Sequence, residues 1–241
     1  MDVIVAEAAS IPNEAEVRAR WGVFAWNADS ARKAAEIMAR YPKGREQSAS
    51  LPLLDLAQRQ VGAETQTQGW LPVPVIEFVA RQIDVPYIRV FEVATFYTMF
   101  NLAPVGRYHV QVCGTTPCLL AGSDDVIAAC KNHGLTKGRT TPDGLFTLTE
   151  VECLGACANA PMVQINDDNF EDLDYDRTTA VLEMLARGEM PTPGSQTGRR
   201  ASCPAGGPTS LPEMVKANHD YRGEWDSIAV PAAVNRETVG G

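Results

Sequence analysis

The fold of this chain is decided by two stretches: RYHVQVCGTTPCLLAGSDDVIAACKNHG, residues 107–134, and LFTLTEVECLGAC, residues 145–157. RYHVQVC and LFTLTEVEC alternate apolar and polar residues, which predicts two β-strands that deliver Cys113 and Cys153 at their ends. Between them, Ser123 caps a segment with two aspartates in its first turn and a glycine at its end, which predicts a helix. A strand-helix-strand unit makes the two strands parallel, so the loops that follow them emerge at the same sheet edge.

Each of these loops holds a pair of cysteines. Cys113 and Cys118 have C-x4-C spacing, and Cys153 and Cys157 have C-x3-C spacing. Thiolates are soft ligands that select zinc, cuprous copper or iron–sulfur clusters, and four of them supply a complete ligand set. Zinc sites usually use C-x2-C pairs, so the wider gaps favour a cluster. The first gap matches plant-type [2Fe-2S] ferredoxins, but the C-x2-C step that follows in those proteins is absent, which excludes that type.

Three further elements follow the second cysteine pair. PMVQIN predicts a strand, the region around Phe170 a short antiparallel strand, and DRTTAVLEMLARG a closing helix that ends at Gly188. Pro161 stands where thioredoxin-like folds often carry a cis proline, so we expect a cis peptide bond there. The order β-α-β, loop, β-β-α is that of a thioredoxin-like domain, and the predicted fold class is therefore α/β.

Four helix-like segments precede this domain, and together they predict a small helical bundle. Asp29 or Ser30 is the expected cap of the first segment and Ser50 that of the second, with Gly62 as the terminator of the second. Pro86 opens the fourth at a first-turn position. The segments cover residues 29–41, 50–62, 74–84 and 87–100.

The fourth segment, YIRVFEVATFYTMF, is rich in aromatic residues. Phe91, Phe96, Tyr97 and Phe100 recur at helical spacing, and we interpret them as core residues rather than as an electron relay. With this segment assigned to the bundle, the chain divides into three parts. These are a helical bundle at 1–105, an α/β domain at 106–191 and an extended tail at 192–241.

Composition and charge exclude several classes of partner. The chain has 21 Lys and Arg against 30 Asp and Glu, a net charge of −9, so its surface repels nucleic acid and anionic lipid. MDVIVAEAAS, at the amino terminus, lacks the basic start and apolar stretch of a secretory signal. No apolar run approaches the ~18 residues of a membrane span. We expect a protein of a reducing compartment that reaches a membrane only through a partner, without direct insertion.

The remaining candidate residues have structural interpretations. Cys130 lies on the apolar side of a helix and is expected to be a buried hydrophobe, whereas Cys203, in a Gly- and Pro-rich loop, is expected to be an exposed bystander. His109 lies four residues before Cys113, but a Rieske-type site needs two histidines, so a structural role is expected. The chain has no hydrolytic triad, GxGxxG or phosphate-binding loop, so its sequence shows no nucleotide-binding motif of its own.

Four separated motifs together resemble one known family. In order and spacing they agree with the thioredoxin-like [2Fe-2S] subunit of the NADH-oxidising module of respiratory complex I, and the resemblance spans roughly residues 12–211. The motifs are FEVATFYTMF at 91–100, HVQVCGTTPC at 109–118, VECLGACANAPMVQIND at 151–167 and GRRASCPAGG at 198–207.

The resemblance implies a thioredoxin-like [2Fe-2S] ferredoxin domain preceded by a helical domain, with Cys113, Cys118, Cys153 and Cys157 as the cluster ligands. It implies an electron-transfer subunit of NADH:quinone oxidoreductase that has no active site of its own. Its neighbours would be the flavoprotein subunit, which carries FMN, NADH and a [4Fe-4S] cluster, and other peripheral-arm subunits. The expected location is the cytoplasmic side of a bacterial inner membrane, or the matrix side in a mitochondrion. A low potential is expected, because four thiolates already make the oxidised cluster anionic.

Two other functions remain open. One is the equivalent diaphorase subunit of an NAD-linked hydrogenase or formate dehydrogenase. The other, from a different class, is a structural zinc module with four cysteine ligands that serves as an interaction platform. A thioredoxin-type dithiol enzyme is the weakest hypothesis, because neither cysteine pair has the C-x-x-C spacing that such enzymes require.

Overall fold

The computed structural model describes residues 12–199, 201–204, 206 and 209–210. The chain forms two compact units, of which the first ends at Thr197 and the second begins at Gly198. Most of the predicted tail, residues 192–241, lies outside the described residues.

The first part of the chain is helical. Helices α2 to α5 confirm the four predicted segments, whereas α1 has a charged sequence that buries only Val17 and Trp21 and therefore shows no apolar stripe. None of the helices in the described part of the chain is long and apolar enough to cross a membrane. The bounds are α1 Glu14–Trp21, α2 Ala28–Ala39, α3 Ser50–Thr65, α4 Val73–Gln82 and α5 Tyr87–Phe96, with a 3-10 turn at Glu46–Ala49.

The predicted caps of α2 and α3 are wrong. Asn27 caps α2, accepting a hydrogen bond of 2.8 Å from the Ser30 N–H. A cap residue needs extended backbone, which Asn27 has, whereas Asp29 and Ser30 already lie in the first helical turn. Ser50 does not cap α3, because the preceding 3-10 turn runs directly into the helix and leaves no extended residue at its start.

Gly62 lies inside α3 and does not terminate it, contrary to the prediction. The helix continues to Thr65, and Gln66 adopts the left-handed backbone that closes it, with φ of 57°. Instead, the absence of a side chain at Gly62 leaves room for the chain that follows the helix. A Cβ at this position would lie 2.8 Å from the carbonyl oxygen of Thr67, because the chain returns closely across the helix.

The interpretation of the α5 aromatic residues as core is confirmed for Phe91 and Phe100 but wrong for Phe96 and Tyr97. Phe100 is buried and Phe91 packs against the core, whereas Phe96 is 76% and Tyr97 42% exposed. Helix α5 buries Val90 and Ala94, and Phe96 points away from that side. Tyr97 has extended backbone, so helical spacing no longer applies beyond Phe96.

The second part of the chain is built on a six-stranded sheet in the order β2-β3-β1-β4-β5-β6. β1 and β3 pair in parallel, with Val110 opposite Leu148, which confirms the predicted strand-helix-strand unit. Helix α6 and the short edge strands β2 and β6 were not predicted. The strands are β1 Tyr108–Cys113, β2 Arg139–Thr140, β3 Phe146–Val151, β4 Val163–Ile165, β5 Asp168–Glu171 and β6 Gly194–Ser195, and the helices are α6 Thr116–Ala121, α7 Ser123–Asn132 and α8 Tyr175–Ala186.

Ser123 does not cap α7, contrary to the prediction. Gly122 ends α6 in a left-handed conformation, with φ of 108°, and α7 begins at the next residue. The two helices follow one another so closely that no extended residue stands between them to act as a cap.

The two parts have separate hydrophobic cores. Leu53, Leu54 and Ile76 are among the fully buried residues of the helical core. In the sheet part, Val110 and Phe170 pack with residues of α7 and α8. Both cores lie within the first compact unit, and the domain boundaries at 105 and 191 stay predictions.

The other face of the sheet is polar. His109 is buried there, and its ring nitrogen Nε2 lies 2.9 Å from the Thr149 hydroxyl on the neighbouring strand. Burial lowers the pKa of His109 to about 4, so its imidazole is neutral near pH 7. His109 thus joins β1 to β3 within the sheet.

Polar contacts connect the helical part to the sheet part. The Arg59 guanidinium on α3 makes two hydrogen bonds, of 2.9 and 3.1 Å, to the carboxylate of Asp167 in the turn between β4 and β5. The Gln68 N–H also donates to the Gly106 carbonyl at 3.1 Å. The side chains of Arg59 and Asp167 are each more than half exposed, so this ion pair is expected to contribute only about 0–1 kcal/mol to stability.

The separate cores generate a prediction about fragments. Residues 105–197 should fold without α1 to α5, because the sheet, α7 and α8 enclose their own core and the interactions across the junction are mainly polar. We expect a cooperative thermal transition with a circular dichroism spectrum of a mixed α/β protein. A fragment that melts without a cooperative transition, while the full chain melts cooperatively in the same buffer, would contradict this division.

Candidate metal centre

The parallel pairing of β1 and β3 brings the two cysteine pairs to one sheet edge. Cys113 is the last residue of β1, and Cys118 lies on α6, which begins three residues later. Cys153 follows the end of β3, and Cys157 opens a 3-10 turn, Cys157–Asn159. The four cysteines therefore lie at the same edge of the sheet, as predicted.

The four thiols form two contacting pairs that also influence each other. The sulfur atoms of Cys153 and Cys157 are 3.3 Å apart, and Cys118 hydrogen-bonds to Cys113. The pKa values of Cys118 and Cys153 also respond to thiols of the opposite pair, Cys157 and Cys113 respectively. Thr115 hydrogen-bonds to both Cys113 and Cys153, so the two pairs lie side by side.

The two pairs differ in burial. Cys113 and Cys118 are each 1% exposed and pack with Met162, whereas Cys153 and Cys157 are exposed. Leu154, Ala156 and Ala160 pack against the buried pair. One end of the site is thus closed by apolar groups, and the other end faces solvent.

Hydrogen-bond donors surround the buried pair. Burial acts to raise the pKa of Cys113, but donation from the Thr115 hydroxyl and from the Thr115 and Leu154 backbone N–H groups outweighs it, so this pKa is lowered. The Thr115 Oγ1 atom is 3.3 Å from the Cys113 sulfur. Burial, together with the neighbouring Cys113, raises the pKa of Cys118 to about 11, against a hydrogen bond from the Met162 N–H.

The exposed pair is polarised by a glycine turn. The Gly155 N–H, and then Cys157, lower the pKa of Cys153, while hydrogen bonding to Cys153 raises the pKa of Cys157. Gly155 has a φ of 88°, a conformation that strains residues with a Cβ. A side chain at this position would therefore disturb the turn that aims the N–H at Cys153.

Thr115 and Met162 also belong to the site. The Thr115 hydroxyl lies against Cys113, whereas the neighbouring Thr116 is exposed in the first turn of α6. Met162 was not predicted. Its carbonyl accepts the Cys113 N–H at 3.4 Å and its own N–H points at Cys118. Its position directly after Pro161, whose peptide bond is cis as predicted, was the available signal.

The other cysteines were expected to lie outside this site. Cys130 lies on the buried side of α7, as predicted, and burial raises its pKa to about 12. Cys203 is half-buried, so its prediction as exposed is wrong. In the second unit the Arg199 guanidinium donates a hydrogen bond of 3.3 Å to the Cys203 carbonyl.

The donor set fits an iron–sulfur cluster. A binuclear cluster takes two protein ligands on each iron, and the site offers two pairs of thiols with backbone N–H groups aimed at three of the sulfurs. Over the described ranges, 12–199, 201–204, 206 and 209–210, no three Cys, His, Asp or Glu side chains converge on the position of a single metal ion.

Comparison with known proteins places these features in a family. The family described as thioredoxin-like [2Fe-2S] ferredoxin matches residues 34–186. The E subunit of the NADH-quinone oxidoreductase of Rickettsia conorii is 55% identical over 163 residues, which cover 67% of this chain and 94% of that protein. Its counterpart in Rickettsia bellii is 53% identical over 163 residues, with coverage of 67% and 94%. A crystal structure of an NAD+-reducing [NiFe]-hydrogenase in the air-oxidised state superposes with a TM-score of 0.46 at 22% identity, over 55% of this chain and 23% of that chain.

The burial difference predicts an order of chemical reactivity in the metal-free protein. Iodoacetamide should alkylate Cys153 first, because it is exposed and its pKa is lowered, and Cys157 next. The buried thiols Cys113, Cys118 and Cys130 should react at least about tenfold more slowly, because each requires local opening. Mass spectrometry of timed digests gives the order. In urea the differences should disappear, and early alkylation of Cys113 in the folded protein would contradict the arrangement.

Proposed function

Since this chain belongs to the thioredoxin-like [2Fe-2S] ferredoxin family, we propose that it is the electron-transfer subunit of an NADH-quinone oxidoreductase. The observation that carries this function is the gathering of four thiols at one sheet edge in a chain that is 55% identical to an NADH-quinone oxidoreductase subunit over 94% of that subunit's length. The activity belongs to the whole oxidoreductase, in which this chain is one part.

We propose that Cys113, Cys118, Cys153 and Cys157 hold the cluster. When bound, a [2Fe-2S] cluster supplies a one-electron couple. The chain's own groups prepare the site for it. Backbone N–H groups and the Thr115 hydroxyl stabilise negative charge on the thiolates, and the packing of Met162 and Leu154 excludes water from the buried pair.

The oxidation of NADH belongs to a different subunit. The sequence contains neither a GxGxxG turn nor a phosphate-binding loop, and the residues gathered at the site are thiols rather than acid and base groups. A chain that provides only a metal centre depends on a neighbour for nucleotide binding.

The chain works in association with other subunits of its complex. We propose that its direct neighbour is the flavoprotein subunit with FMN, NADH and a [4Fe-4S] cluster, beside other peripheral-arm subunits. A peripheral position agrees with the finding that no described helix is suited to cross a membrane. For the side of the membrane we propose the cytoplasmic face in a bacterium, or the matrix face in a mitochondrion.

The two alternatives left open by the sequence have less support. A zinc module with four cysteine ligands does not account for the match to a family described by its [2Fe-2S] cluster. A diaphorase subunit of a hydrogenase or formate dehydrogenase would use the same ligands. The high identity to the two Rickettsia proteins favours the NADH-quinone oxidoreductase.

The ligand assignment is tested by single substitutions. Cys113→Ser, Cys118→Ser, Cys153→Ser and Cys157→Ser should each abolish or strongly perturb the EPR signal of the reduced protein, because each removes one iron ligand. The matched controls Cys130→Ala and Cys203→Ala should leave the signal and the iron content unchanged. An unaltered signal in any of the four serine variants would remove that residue from the ligand set.

The dependence on a neighbouring subunit is tested with the isolated chain. The reddish-brown protein should be bleached by dithionite but should oxidise no NADH, even with an artificial electron acceptor present, because it has no site for the nucleotide. Activity should appear when the flavoprotein subunit is added. A rate of NADH oxidation that follows the concentration of the isolated chain would contradict the proposed role, and a colourless protein with one bound zinc would support the zinc module.

A further inference from the structure

The Thr115 hydroxyl lies between the two cysteine pairs. Its Oγ1 atom is 3.3 Å from the Cys113 sulfur, and it also hydrogen-bonds to Cys153 in the other loop. The contact is reciprocal, because the Leu154 N–H of the second loop donates to the Cys113 sulfur of the first pair. Each loop therefore contributes a hydrogen bond to a sulfur of the other loop, and the two loops are joined at the sulfur atoms themselves.

The local backbone alone does not account for this orientation of the Thr115 side chain. Thr115 is the residue before α6 and has extended backbone, with φ of −78° and ψ of 165°. A threonine in this position usually accepts a hydrogen bond from an N–H of the first helical turn. Within the described part of the chain the Thr115 side chain makes no such bond, and its hydroxyl contacts the cysteines. The contact with sulfur thus takes the place of the helix cap that this residue would otherwise form.

The Thr115 hydroxyl is the donor in these contacts when the cysteines bind iron. Cysteines bind iron as thiolates, which carry no hydrogen and can only accept. The hydroxyl therefore stabilises negative charge on a sulfur of each pair. Water has little access to the Cys113 sulfur, because this residue is 1% exposed and packs with Met162 and Leu154. A hydrogen bond has a larger effect where water is excluded.

The Thr115 hydroxyl can be removed without removing the backbone donors. Those donors stay in place whatever the side chain, and they are the N–H groups of Thr115, Leu154, Gly155 and Met162. Valine has the shape of threonine without the hydroxyl, and serine keeps the hydroxyl without the methyl group. The neighbouring Thr116 is exposed in the first turn of α6, so the same change there serves as a matched control.

We propose that the Thr115 hydroxyl raises the reduction potential of the bound cluster by donating to the Cys113 and Cys153 sulfurs. Reduction adds one electron and forms or breaks no bond, so the sulfurs become more negative and a donated hydrogen bond becomes stronger. Thr115 acts through the two cysteines and is a positioning residue rather than an iron ligand. This inference rests on the proposed function and on the four proposed ligands, because it concerns the cluster that they hold.

The test is a redox titration of the full cluster-containing chain, monitored by EPR with dithionite as the reductant. Thr115→Val should lower the potential, because it removes the donor and keeps the shape of the side chain. The ratio of reduced to oxidised cluster at a fixed potential should fall about threefold to tenfold, and a tenfold change is about 59 mV for a one-electron couple. Thr115→Ser keeps the donor and should retain the potential of the unsubstituted chain, as should Thr116→Val.

Iron content and melting temperature are measured for each variant, so that a change in potential is distinguished from loss of the cluster. If Thr115→Val loses iron, Thr115→Ala is titrated in its place. The inference is overturned if a variant without the hydroxyl keeps its iron and has the potential of the unsubstituted chain, or if Thr115→Ser or Thr116→Val lowers the potential as much. Loss of iron from both the valine and the alanine variant also overturns it, because Thr115 would then hold the cluster rather than set its potential.

These outcomes separate this inference from the function on which it rests. If the unsubstituted chain binds zinc or binds no metal, the proposed function fails and the role of Thr115 fails with it. If the unsubstituted chain carries a reducible cluster and Thr115→Val leaves the potential unchanged, the function stands and only the role of Thr115 is overturned.

Discussion

The parallel pairing of β1 with β3 is the constraint on which the site depends. Two parallel strands need a crossover, and α6 and α7 provide it between them. Because both strands run in the same direction, their ends lie at one edge, and Cys113 and Cys153 arrive together. The second cysteine of each pair follows within a few residues, on α6 or on the 3-10 turn. A slip of the β1–β3 register would move one pair along the sheet and separate the thiols.

The site is buried at the end that holds Cys113 and Cys118 and exposed to solvent at the end that holds Cys153 and Cys157. Around Cys113 and Cys118, burial opposes ionisation and backbone N–H groups favour it, and the two effects leave Cys113 with a lowered pKa and Cys118 with a raised pKa. Around Cys153 and Cys157 there is little burial, and the Gly155 turn supplies the donor. The closed end protects bound metal from water, while the open end lets another protein come close. Both properties suit a carrier of electrons.

Helix α3 joins the helical part of the chain to this site with two adjacent side chains. Gln58 holds the segment after α5, and Arg59 reaches the turn between β4 and β5. One helix therefore contacts both the segment after α5 and the turn between β4 and β5. Gln58 is buried and makes two hydrogen bonds to the segment, so its loss leaves polar groups unpaired, whereas the Arg59–Asp167 pair is exposed and contributes little to stability.

The sequence by itself determined the two cysteine pairs, the strand-helix-strand unit and four of the helices of the bundle, because spacing and hydrophobic period are local properties of the chain. It also predicted the cis bond before Pro161, by analogy of fold. Only the tertiary structure decided that the hydroxyl of Thr115, rather than that of Thr116, contacts the Cys113 sulfur. It also decided that the backbone of Met162 hydrogen-bonds to both buried cysteines, and that Gly62 leaves room for the returning chain. It also decided that Phe96 and Tyr97 lie outside the core. Each of these depends on which distant segment packs against the residue or leaves it exposed, and that information is contained in no local pattern.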